Sequence, residues 1–134
     1  MAMEPRISFI TLGVNNLERA IAFYEGVLGL VRQDTSPGVA FFQMGPTMLA
    51  LFPRADLAAD AGLPAEGSGF KAFALAHNVR SETAVDDLLA LALSGGAKLI
   101  KPGQPTFWGG YAGYFEDPEG FLWEIAHNPD YPDL

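Results

Sequence analysis

The order strand, helix, strand, strand, strand can be read twice along this chain, and that repetition restricts the fold more than any other feature. Residues 7–14 form an apolar run rich in β-branched and aromatic side chains, stopping at Asn15-Asn16, which suit a helix N-cap. Leu17, Ala20, Ile21, Tyr24 and Leu28 then recur at helical spacing, with Glu18, Arg19 and Glu25 on the other face and Gly29 as the stop. Residues 30–34, 39–44 and 47–52 read as strands, the last two joined across Gly45-Pro46. The pattern returns with a strand at 70–79, Ser81 as N-cap, and a helical stripe of Val85, Leu88, Leu89, Ala92 and Leu93 ended by Gly95-Gly96. Strands at 97–101, 113–116 and 121–127 follow, with Asp117-Pro118-Glu119-Gly120 as a tight turn. In this reading Phe9 and Phe70 open equivalent strands. The stretch between the halves breaks both periodicities with prolines and glycines, leaving a linker with room for a helical turn. The expectation is one α+β domain over 1–134, in two modules of about 5–53 and 70–130 with a linker of about 54–69. An ordinary α+β domain with two unrelated helices is the alternative.

A chain of 134 residues suits one domain of the usual ~100–150, and 49% hydrophobic against 18% charged residues is enough apolar material for a core. Eight Lys+Arg against sixteen Asp+Glu repel a phosphate backbone or an anionic bilayer, so neither nucleic acid nor membrane is an expected partner. Plain solubility accounts for the acidity equally well. The absence of cysteine removes disulfides, thiol nucleophiles and Cys-based metal sites, and fits a reducing compartment. The opening MAMEPRISFI has neither the basic start nor the apolar run of a signal peptide, and a cytoplasmic location is expected.

Two motifs carry a family resemblance. Residues 11–24, TLGVNNLERAIAFY, followed by VLGL at 27–30, resemble the opening strand, "D-L-E-R-S" turn and "F-Y…V-L-G" helix end of the vicinal-oxygen-chelate superfamily, which includes glyoxalase I, extradiol dioxygenases and bleomycin-binding proteins. Residues 113–125, GYFEDPEGFLWEI, resemble its closing "F-x-D-P-D-G-x-x-W-E" hairpin. The resemblance implies two βαβββ modules forming a curved mixed sheet, with a concave cup, helices on the convex side, and a homodimer whose modules complete each cup. Fold alone leaves the chemistry open.

In metal-dependent branches of that superfamily a His opens the first strand of each module, where the resemblance places Phe9 and Phe70. A Glu in the last strand of the first module falls on Ala50 or Leu51. Only the carboxylate of the closing strand is kept, as Glu124. With three usual ligand positions apolar, no metal and no other cofactor is expected, because Zn²⁺, Fe²⁺ or Mn²⁺ wants three or four protein donors. In strand alternation His77 shares a face with Phe73 and Leu75, opposite Phe70, Ala72 and Ala74, while His127 lies near the chain end as a surface or dimer contact.

Glu124 then stands as a lone carboxylate in an apolar cup, a catalytic acid/base or a hydrogen-bond acceptor for a ligand, unless a neighbouring Tyr or Lys simply satisfies it. Residues 105–114 interleave aromatics with glycine, and Trp108 and Tyr111 are the expected pocket walls, or rings that pack beneath the loop. Phe9, Phe70, Trp108, Tyr111 and Glu124 are therefore the expected substrate-binding residues. The leading expectation is a metal-free small-molecule binder working as a homodimer. The second is a lyase, isomerase or dioxygenase-type enzyme using Glu124 as acid/base or metal ligand. The third is a non-catalytic interaction module.

Overall fold

The structure, a computed structural model, describes residues 2–33 and 35–130. It contains two compact units, Met1–Gly67 and Ser68–Leu134. Among the described residues no helix is long and apolar enough to cross a membrane.

In the first unit β1 (Phe9–Val14) leads into α1 (Leu17–Ile21), which widens without a break into a π-helical segment, Ala22–Val27. The Asn16 carboxamide accepts from the Arg19 amide at 3.0 Å and starts the helix. β2 (Ala40–Met44), β3 (Thr47–Pro53) and α2 (Arg54–Ala61) follow. The sheet order is β1-β3-β2, with β1 parallel and β2 antiparallel to β3. Strand alternation puts Leu12, Val14, Leu49, Leu51 and Phe42 on one face, all buried. Tyr24 packs there, its ring 6.2 Å from that of Phe42.

The strand expected at 30–34 shrinks to a single bridge, Arg32 with Phe42, supported by Gln33 N–H donating to the Phe41 carbonyl; Asp34 lies outside the described residues. The Arg32 guanidinium donates to the carbonyls of Ser36 and Val39, tying this segment to its own turn rather than along β2. The linker holds the eight-residue α2, more than a turn. It crosses β1 at Gly13, where a Cβ would lie 3.2 Å from Leu57 Cδ2 and 3.3 Å from Arg54 Cα.

The second unit has β4 (Leu75–Asn78), α3 (Glu82–Ser94), β5 (Lys98–Pro105), β6 (Tyr111–Glu116) and β7 (Leu122–His127), in the order β4-β7-β6-β5. The Ser81 hydroxyl accepts from the Ala84 amide at 3.0 Å. Val85, Leu89 and Ala92 of α3 are buried, as are Phe115 and Ile125 of the sheet. Asp117, only 3% exposed, shapes the β6–β7 turn by accepting from the Glu119 and Phe121 amides at 2.9 and 2.8 Å.

Both units repeat one plan, in register. Val14 stands two residues before the N-cap Asn16 and Val79 two before the N-cap Ser81, which places Phe9 on Ala74 rather than Phe70. The other side of the ladder agrees: Thr11 pairs with Ala50 and its counterpart Ala76 with Glu124. Ala50, not Leu51, is thus the first-module counterpart of Glu124. The strand expected from residue 70 begins only at Leu75, because the chain turns at Gly69 (φ 80°) and again at Ala72 (φ 61°). That left-handed geometry cannot continue a strand and costs a non-glycine about 1–2 kcal/mol.

Candidate functional site

Glu124 owes its direction to the sheet. Its neighbour Ile125 is buried with Gly113 beneath α3, so Glu124 points to the opposite face. Tyr114 is its direct ladder partner, and the phenol donates to Glu124 Oε2 at 3.2 Å. Among the described residues it is the only hydrogen-bond partner of that carboxylate. Burial, then the Glu124 charge, then this hydrogen bond hold the Tyr114 phenol above its ordinary 10.0.

Tyr114 also lines an open surface hollow of about 440 Å³ bordered by Phe70, Phe73, Ile100, Leu122 and Lys101, with Phe70 79% exposed. That volume falls in the range of small-molecule sites. The wall exists because the turns at Gly69 and Ala72 lift residues 69–74 out of the sheet.

The expected site residues divide accordingly. Phe70 lines the hollow that Tyr114, and through it Glu124, borders. Phe9 is 54% exposed on the face of its own sheet opposite α1, its ring edge-on to Phe41 at 5.9 Å. Tyr111 lies on the α3 face, its hydroxyl donating to Asp86 at 2.9 Å, and so faces away from Glu124. That hydrogen bond, ahead of partial burial and the Asp86 and Glu82 charges, holds its phenol above the usual value. Trp108 folds over Gly110, where a Cβ would strike the indole, at the end of the ladder where Tyr111 pairs with His127. The structure brings neither Trp108 nor Tyr111 to Glu124. The His127 ring sits 3.2 Å from the Val79 carbonyl.

Sequence reasoning missed Tyr114, Phe73, Ile100 and Leu122. Tyr114 had a signal, since it and Glu124 lie symmetrically about Glu119 in the hairpin turn. The others had none, because their meeting depends on the two left-handed turns.

The donor set does not fit a divalent metal of the family kind. With the register settled, the four positions are Phe9, Ala50, Ala74 and Glu124, and the first three carry no lone pair to give. Among the described residues no three His, Asp or Glu side chains gather elsewhere.

The sequence matches the glyoxalase/bleomycin resistance protein/dioxygenase superfamily over residues 6–125. A glyoxalase-related enzyme from Fulvimarina pelagi is 36% identical, with a TM-score of 0.88 over 94% of this chain and 90% of that one. A glyoxalase/bleomycin resistance protein/dioxygenase family enzyme from Burkholderia phytofirmans PsJN is 27% identical, with a TM-score of 0.81 over 90% of this chain and 96% of that one. Lactoylglutathione lyase from Agrobacterium tumefaciens is 25% identical, with a TM-score of 0.71 over 96% of this chain and 98% of that one. No curated protein matches the sequence.

Proposed function

Because this chain belongs to the glyoxalase/bleomycin resistance protein/dioxygenase superfamily, we propose that it is a metal-free member that binds a small molecule in the hollow beside Tyr114 and Glu124, working as a homodimer. The observation that carries this reading is the hollow itself: four apolar side chains beside a single hydrogen-bonded phenol and carboxylate. Glu124 lines neither hollow, and its carboxylate bears on a ligand through Tyr114, whose phenol donates to Oε2 and whose side chain lines the hollow. The apolar residues at three family ligand positions support metal independence. Exposed Phe107 on the β5–β6 hairpin and Leu99 on edge strand β5 are apolar surface that such a dimer would cover.

The Tyr114–Glu124 pair also favours a second reading, a lyase or isomerase in which Glu124 takes or returns a proton while Tyr114 orients it. Both readings share one experiment. A thermal-shift screen of small aromatic and carbonyl compounds should give hits that raise the melting temperature. Glu124→Gln should fold normally and weaken those hits by up to about ten-fold, because an amide holds the Tyr114 phenol less firmly than a carboxylate does. Hits indifferent to both Glu124→Gln and Phe73→Ala would remove the hollow from consideration. Solvent deuterium entering a hit compound only when Glu124 is present would select the enzyme.

A further inference from the structure

The hollow beside Tyr114 adjoins a second, of about 480 Å³, and the two share Phe70, Phe73, Ile100 and Leu122 as walls. The charged groups on this lining are Lys71 and Glu116 in the larger part and Lys101 in the smaller. Two of the chain's three lysines thus meet one carboxylate here, in a protein where acidic groups outnumber basic ones sixteen to eight. Lys71 is held in place, its Nζ 4.9 Å from the centre of the Phe121 ring and 3.5 Å from the Gly120 carbonyl. Among the described residues neither lysine is in an ion pair. Ala72, at φ 61°, sits between Lys71 and Phe73, and strained backbone of this kind gathers at ligand clamps.

Resting on the small-molecule reading above, we propose that these joined hollows take an amphipathic anion, its aromatic or aliphatic body on the four apolar side chains and its carboxylate or sulfonate head drawn by Lys71 in the larger part or Lys101 in the smaller. The long-range field of an acidic protein opposes such a ligand, so recognition rests on these two local charges. Glu124 lines neither hollow, whereas Glu116 lines the larger part near Lys71 and offsets one of the two lysine charges, so the lining carries one net positive charge.

Two fluorescent probes of matched aromatic body separate the contributions: 8-anilinonaphthalene-1-sulfonate, which is anionic, and N-phenyl-1-naphthylamine, which is neutral. The sulfonate should bind about ten-fold tighter at low salt, the value of one charge-assisted contact, and lose that advantage as salt rises. The double variant Lys71→Gln/Lys101→Gln should abolish the difference while leaving the neutral probe unchanged, and Arg80→Gln, outside the hollow, should leave the difference intact. Phe73→Ala, with circular dichroism unaltered, should weaken both probes. Equal binding of the two probes to the native protein, or a preference that survives the double lysine variant, overturns the anion assignment while the hollow stands. Indifference of both probes to Phe73→Ala overturns the hollow and the anion assignment together.

Discussion

Tyr114 and Glu124 constrain each other's chemistry. A phenol half-removed from water beside a carboxylate resists becoming a second anion, so the folded state keeps the Tyr114 proton to a higher pH than the unfolded chain does. Stability from this group is therefore complete below pH 10 and is lost as pH rises through the folded-state value, where the unfolded chain binds fewer protons. Tyr111, held up chiefly by its hydrogen bond to Asp86, adds a loss of the same sign. Urea midpoints measured from pH 8 to 11 should fall for the native protein and fall less for Tyr114→Phe. An unchanged slope would mean that the phenol ionises as freely folded as unfolded. The carboxylate of this pair was legible in the closing hairpin motif. That a neighbouring Tyr or Lys could satisfy it was also legible, but which one was not, since a hydrogen bond between strands needs the register as well as the residue types.

At the scale of elements, the close seat of α3 on the second sheet depends on Gly113. A Cβ there would lie 2.6 Å from Leu89 Cδ1 and 2.8 Å from the Lys101 carbonyl, closer than packed atoms tolerate, so the Leu89 side chain would have to turn and the β5 backbone to move. Gly113→Ala should cost about 1–3 kcal/mol, the usual penalty of overpacking, seen as a lower urea midpoint with unchanged secondary structure. The helices themselves were readable from Asn16, Ser81 and the apolar stripes, because caps and periodicity act within a few residues. The strand starts were less so. Residues 70–74 have the composition of a strand, and two left-handed turns keep them out of one.

For the molecule as a whole, homodimer formation and metal independence are separate expectations with separate measurements. Light scattering across micromolar concentrations should give twice the 14.4 kDa chain mass, and a strictly monomeric mass would leave Phe107 and Leu99 exposed without a partner. Elemental analysis of dialysed protein should find no stoichiometric divalent metal, and added Zn²⁺ should not raise the melting temperature. A stoichiometric metal would show that donors other than Glu124 have been overlooked.

The sequence by itself determined the class of fold, the twice-repeated order of elements, both helix starts and the one carboxylate kept from the family ligand set. These are written in local signals: capping side chains, a period of two or of 3.6, and motifs on a single hairpin. The spacing from the two N-caps, Asn16 and Ser81, already sets Phe9 against Ala74 rather than Phe70, whereas only the tertiary structure fixed the counterpart of Glu124 as Ala50, because that match runs through the ladders. Tertiary structure also turned Tyr111 toward Asp86 and gathered Phe70, Phe73, Ile100 and Leu122 around one hollow. Facing and proximity follow from the ladder register and from two left-handed turns. A one-residue change in either sends every side chain to the other face, so composition alone cannot reveal them.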